Sequence, residues 1–267
     1  MKRILITILI IIISSIPIDC GAANTYSTTL NGSSQYFTIT DASQTGLDLN
    51  SDFTIEAWVN LAQRSKEQII TAKIVSENNN AWLFYISGSN LLVCAYTSNG
   101  TWDASHLTDF YTNAYPTVSH LNTWTHVAVS VDISAHSMQF YVNGSAVSGT
   151  QDNVGATSIV NNAGAVTVGR ADYTTPGSYL NGKLDDIRIW SDIRTPEEIA
   201  ANYNKELTGN ETNLVAYWKF NNNALDETSN NNDLTNVNSA TFTTDLPFND
   251  VVAPAGVNES DIIIFDL

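Results

Sequence analysis

The amino-acid sequence predicts an all-β fold built from many short strands, and three observations carry that prediction. Helical periodicity is nearly absent from the 267 residues, whereas short apolar runs punctuated by Asn, Ser, Thr and Gly recur throughout. Spacing of this kind belongs to a sandwich or barrel. Val127, Val129, Val131 and Ile133 alternate with His126, Ala128, Ser130 and Asp132, the two-faced pattern of a half-buried strand. Finally, Phe140-Tyr141-Val142 runs into Asn143-Gly144, the pair that best tolerates the positive φ values of a two-residue hairpin.

Taken in order, strands are expected near 27–30 and 35–40, both rich in Thr and aromatic or β-branched residues. The run 53–61 alternates Phe53, Ile55, Ala57 and Val59 with Thr54, Glu56 and Trp58. Nearly continuous apolar runs at 69–74, 81–87 and 91–97 read as buried strands. Further strands are expected near 125–133, 137–142, 165–169, 183–190, 214–221 and 239–242. One short helix is expected over about 196–205, because Thr195 can cap it, Pro196 suits its first turn, and Glu197 and Glu198 follow. The polar, Asn-rich stretch 221–233 reads as a loop, and 251–267 as a C-terminal tail or an added edge strand.

The chain opens with Met1-Lys2-Arg3, an apolar run from Ile4 to Ile13, Pro17 and the small residues Gly21-Ala22-Ala23. That order is that of a signal peptide over 1–23, and its apolar run is shorter than the ~20 residues a membrane span needs. A secreted or cell-surface protein is therefore expected. Asp19 rather than a small residue precedes Cys20, which argues against a lipid anchor there. Loss of the signal would leave Cys94 as the single cysteine, so no internal disulfide is expected. The formal charge is −16, and removal of Lys2, Arg3 and Asp19 takes it to −17. Such acidity excludes nucleic acid and anionic membrane as natural partners. It suits solubility, divalent cations, and neutral or basic partners.

Within Gly182-Lys183-Leu184-Asp185-Asp186-Ile187-Arg188-Ile189-Trp190, strict alternation puts Asp185 on the face of Ile187 and Ile189. A charge there needs a partner or a cation. The alternatives are a solvated strand start, or a bulge that turns Asp185 outward.

Several segments together resemble one family. They are 30–37 (LNGSSQYF), 53–59 (FTIEAWV), 124–128 (WTHVA), 140–144 (FYVNG), 182–190, the 195–203 helix and 214–220 (LVAYWKF). Their order is similar to that of the laminin-G-like, concanavalin A-like jelly-roll domain, over about residues 25 to 250. The resemblance implies a two-sheet antiparallel jelly-roll sandwich occupying 24–250, with a frequent structural calcium at one end. Carried onto this chain, it makes Asp185 and Asp186 carboxylate ligands, with Asn31, Gly32 and Ser34 supplying further oxygens. The first loop lacks an Asp, a departure that weakens the implied site.

Catalysis finds little footing in the sequence. The paired carboxylates on alternate positions of one strand that concanavalin-like glucanases use are not present, Glu56 is a lone acid on its strand, and the four histidines lack zinc spacing. Aromatic residues offer the better indication. Trp102, Tyr111 and Tyr115 lie with Asp103 in the segment 99–118, and Tyr173 and Tyr179 lie in a Pro-Gly loop. Rings beside acids and amides suit sugars, though rings also brace loops. The expectation is a non-catalytic module that recognises carbohydrate or glycoprotein. Protein adhesion is the alternative, and a polysaccharide-active enzyme a more distant one.

Overall fold

A computed structural model describes residues 24–76, 78–113, 121–171 and 178–248. The expected signal segment 1–23 with Cys20, the tail 251–267, Tyr115 and Tyr173 lie outside the described residues. Strands are numbered in chain order. One antiparallel sheet, the first sheet, runs β10 (Ser145–Val147), β9 (Ser137–Val142), β8 (Thr125–Asp132), β3 (Phe53–Leu61), β13 (Asn181–Trp190), β1 (Ser27–Asn31) and β16 (Thr241–Thr243). β14 (Leu214–Trp218) also pairs with β13. The second sheet runs β11 (Gly149–Val154), β7 (Leu107–Thr112), β6 (Leu92–Thr97), β5 (Asn79–Ile86), β4 (Gln68–Ser76), β12 (Val166–Val168), β2 (Tyr36–Ile39) and β15 (Thr235–Val237). This is the expected two-sheet sandwich, and the described residues hold a single α-helix, α1 (Pro196–Asn202). No helix among them is long and apolar enough to cross a membrane.

Alternation generates the core. Phe53, Ile55, Ala57 and Val59 of β3, and Val127, Val129 and Val131 of β8, face Trp82, Phe84 and Ile86 of β5 and Cys94 and Tyr96 of β6. Each fully buried side chain of this size contributes about 1.5–3 kcal/mol of transfer free energy. Cys94 is buried and unpaired, as its apolar run suggested, and burial pushes its thiol pKa up. Asn143 (φ 47) and Gly144 (φ 74) form the β9–β10 hairpin, with Val142 opposite Ser145. A Cβ on Gly144 would lie 2.6 Å from the ring of Tyr203, so both the turn and the packing demand glycine.

α1 is shorter than expected: Tyr203 N closes the last helical hydrogen bond, onto the Ile199 carbonyl at 3.0 Å, and the chain then turns. Its start is as the sequence suggested: Glu198 N donates to Thr195 Oγ1 (3.2 Å), and Thr195 N donates to Glu198 Oε2 (2.9 Å), a reciprocal capping box. Ile199 packs on Ala128 and Tyr141, which lays the helix across the outer face of the first sheet.

Candidate functional site

Each sheet has an outer face, and the two differ. On the first sheet, β3, β13 and β14 present Glu56, Trp58, Asp185, Arg188, Trp190 and Tyr217, all 6% exposed or less. α1 and residues 203–207 cover them. Arg188 donates to the backbone oxygens of Asn202 (2.9 Å) and Lys205 (2.6 Å), and Trp58 Nε1 donates to that of Tyr203 (2.7 Å). α1 has no basic residue in its last turn, so Arg188 brings the cation that the helix C-terminus favours from the sheet below. Glu56 accepts from Trp190 Nε1 at 2.7 Å and lies 3.3 Å from His126 Nε2. Burial pushes the Glu56 carboxyl up, but His126 and Arg188 outweigh it and hold the group below its ordinary range. Trp58 is buried on this outer side, stacked on Tyr203.

The Asp185-Asp186 pair lies here, and strict alternation fails at it. Asp185 is opposite Trp58 and Arg188 is opposite Glu56, so three steps along β13 match two along β3. The extra residue is a bulge at Asp186, whose φ is 49. It falls where the other edge of β13 changes partner, from β1 at Leu184 to β14 at Ile187. The bulge turns Asp185 away from Ile187 and Ile189 to the outer side, which corrects the alternation-based placement. Strict alternation would send the two carboxylates to opposite faces, and the bulge sets both on the outer side. Asp186 accepts from the Tyr217 hydroxyl and pairs with Arg188 at 3.4 Å. Asp185 accepts from Asn24 Nδ2 at 2.7 Å. Burial, then the charge of Asp186, raises the Asp185 pKa well above the ordinary carboxylate range.

The calcium ligands implied by the family resemblance are not brought together. Asn31 pairs with Asn181, four residues before Asp185, so roughly 13 Å of strand separates the two. Asn31 Oδ1 accepts from the backbone of Ser33, Ser34 and Gln35. Ser34 Oγ accepts from Asn31 Nδ2, and the Gly32 carbonyl accepts from Lys66 Nζ at 3.0 Å. A lysine ammonium thus stands where that loop offers an oxygen. Among the described residues no group of three or more His, Cys, Asp or Glu is placed to hold a metal. The residues present do not fit the implied site.

The outer face of the second sheet carries a buried apolar cluster of Ile69, Ala72, Ile74, Leu83, Ala95 and Ala171, with Tyr85, Trp102 and Leu107 partly buried against it. Its register sets Asn153, Asp109, Ala95, Leu83, Ala72 and Thr167 side by side across six strands. A recess of about 260 Å³ is lined by Leu83, Tyr85, Ala95, Trp102, Leu107 and Asp109. Trp102 is carried on the β6–β7 loop, which is pinned at its base. Asn80 donates backbone and side-chain N–H to the Gly100 carbonyl, both at 2.9 Å, and Gly100 N donates to Thr97 Oγ1 at 2.9 Å. Asp109 Oδ1 accepts from Asn153 N (3.1 Å) and Nδ2 (2.8 Å). Burial raises the Asp109 pKa, with those bonds opposing. The Tyr85 hydroxyl is also raised, by burial first and then by the charges of Glu67 and Asp109.

The expected ligand residues therefore separate into groups. Trp102 and Tyr111 lie on the recess side of the sheet, although Tyr111 belongs to β7 and not to a loop. Asp103 is diverted: it takes hydrogen bonds from Thr101, Ser105 N and, at 2.8 Å, pairs with His106 Nδ1. These bonds, the Thr101 hydroxyl first, hold its carboxyl below the ordinary range, and its work is to shape the loop. Tyr179 lies near the opposite edge, its ring 6.2 Å from Tyr36 with Arg170 stacked 5.5 Å away. Five strand spacings from β7 to β2 put that cluster roughly 24 Å off. Tyr85 and Asp109 are the residues that sequence reasoning missed. Tyr85 lies in the expected strand 81–87, and Asp109 shares a face with Leu107 and Tyr111 in β7, for which no strand is expected from the sequence.

Comparison with known proteins agrees with this architecture. A candidate carbohydrate-binding protein of Bacteroides ovatus is 18% identical with a TM-score of 0.62, covering 85% of this chain and 62% of its own. The chain thus spans less than two thirds of that protein's length. A SAP-like pentraxin of Limulus polyphemus is 14% identical with a TM-score of 0.56, over 83% of this chain and 95% of its own. The CBM40 of Ruminococcus gnavus IT-sialidase, bound to α2,3 sialyllactose, is 12% identical with a TM-score of 0.53, over 68% and 99%. No curated protein matches the sequence significantly. The Laminin_G_3 family model matches residues 31–200, and the chain belongs to that family of the concanavalin A-like lectin/glucanase superfamily.

Proposed function

We propose that this protein is a secreted, non-catalytic module that binds a glycan on the outer face of the second sheet. One observation carries the reading: a partly buried tryptophan lines a recess together with Tyr85, Leu83, Ala95, Leu107 and a single carboxylate. A ring face can lie against sugar C–H groups while Asp109 and the Tyr85 hydroxyl take sugar hydroxyls, the usual economy of an apolar site with a few placed polar groups. The fold shared with a candidate carbohydrate-binding protein and with a sialidase CBM40 supports the same reading.

The recess has one acid among its lining residues, whereas retaining glycosidases use two about 5–5.5 Å apart. Asp185 and Asp186, the adjacent acid pair, are sealed beneath the 196–207 cover and out of reach of a polymer. Secretion rests on the order of residues 1–23, and N-terminal sequencing of exported protein beginning near Asn24 checks it.

The test of glycan binding is an array of plant, bacterial and host glycans probed with the purified protein and with Trp102→Ala. Selective binding lost in the variant, with the circular dichroism spectrum unchanged, is the expected result. Retention by a cell-surface protein stripped of its glycans, with no signal on the array, would favour adhesion to protein. Release of reducing sugar from a polysaccharide would restore the enzyme reading.

A further inference from the structure

Resting on the glycan reading, we propose that the recess selects its sugar by charge, taking amine-bearing sugars ahead of neutral ones and turning away anionic ones. Its lining residues include one anion, Asp109, and no lysine or arginine. Both hydrogen bonds to Asp109 fall on Oδ1, and none among the described residues falls on Oδ2. Asp109 is half-buried without a cation, a state that burial makes unfavourable. A second carboxylate, Glu67, reaches the same neighbourhood, since its charge acts on the Tyr85 hydroxyl together with that of Asp109. The cation on this face, Arg170, is held 4.7 Å over the ring of Tyr36 near the far edge of the sheet.

A protonated sugar amine would meet all of this at once. It would pair with Asp109 and lie against the faces of Trp102 and Tyr85, where a cation is attracted by the ring quadrupole. The net charge of −16 would also raise the encounter rate of a cationic oligosaccharide. The carboxylate of a sialic or uronic acid would face two like charges instead. This chemistry differs from what the ligand of the Ruminococcus gnavus module, sialyllactose, asks of its site. The likeness of fold does not extend to a likeness of charge.

Three probes test the idea by calorimetry: oligomers of β1,4-linked glucosamine, the same oligomers N-acetylated, and sialyllactose. The pH is chosen so that sugar amines are protonated and carboxylates ionised. Affinity is expected to fall in that order. Asp109→Asn, which keeps an oxygen for Asn153, should weaken the amine form about fivefold more than it weakens the N-acetylated form. In the unmodified protein, added salt should weaken the first probe and spare the second. Tighter binding of the N-acetylated or acidic probe, or an amine preference that survives Asp109→Asn, overturns charge selection while leaving glycan binding standing. Failure of all three probes to bind, with an empty glycan array, overturns both readings.

Discussion

The two outer faces of this sandwich are made by the same rule of alternation, yet they serve opposite ends. On the first sheet, long polar and aromatic side chains such as Arg188, Trp58 and Tyr217 reach up and fasten a helix and a loop over themselves. The charges there are paired under cover. On the second sheet Ala72 is buried, but beside Ala95 a recess remains, lined by Trp102, Tyr85 and Asp109. Long side chains close one face, and the other keeps a recess.

The contrast can be broken hardest at Arg188. Arg188→Ala leaves Asp186 and two backbone carbonyls buried without their cation, and removing one member of a buried pair costs about 3–5 kcal/mol. Chemical denaturation should show that loss while the recess on the second sheet, if the protein still folds, binds as before. Second in size, Trp102→Ala should lower glycan affinity about thirtyfold, as loss of a central aromatic anchor does. Thermal melting should fall much less, because Trp102 is only half-buried.

Asp185 sharpens the comparison, since it is the strained member of the closed face. Its pKa is raised in the fold, so its stabilising effect is full at acid pH and is lost as pH climbs out of the ordinary carboxylate range. Asp185→Asn should therefore hold or raise neutral-pH stability and flatten the pH dependence above the ordinary carboxylate range. Asn24 can turn its buried, unbonded Oδ1 toward the new amide. A large loss in this variant, matched by a lower midpoint in a chelator, would instead mean that a cation sits at Asp185. Smallest of all, Tyr179→Ala should leave glycan affinity within about twofold and cost about 1 kcal/mol of stability through its contact with Arg170. Loss of binding in that variant would mean that the ligand crosses the whole sheet.

How much of this was legible in the sequence follows from what kind of signal each part leaves. The strands of the core announce themselves because period two is local: Val127 to Val131 needs no partner to be read. The hairpin at Asn143-Gly144 and the capping box at Thr195 are local too, and the structure has both. β7 was hidden because Leu107-Thr108-Asp109-Phe110-Tyr111-Thr112 shows apolar residues on both faces, and its polar flanks suggested a loop. The outward turn of Asp185 was left open for a different reason. A bulge is decided by where β1 ends and β14 begins along β13, a property of topology rather than of the strand itself. Tyr179 and Trp102 looked like one aromatic set because linear sequence gives no measure of the five strand spacings between their positions.

The bulge at Asp186 divides β13 into two reading frames. Upstream of it odd-numbered residues look outward, and downstream even-numbered ones do. Deleting Asp186 would leave two steps on each strand and keep Leu184 inward and Arg188 outward, whereas a deletion elsewhere in the strand would turn one half of it to the wrong face. Loops of this domain can change length freely over evolution, whereas this strand can lose a residue only at its bulge.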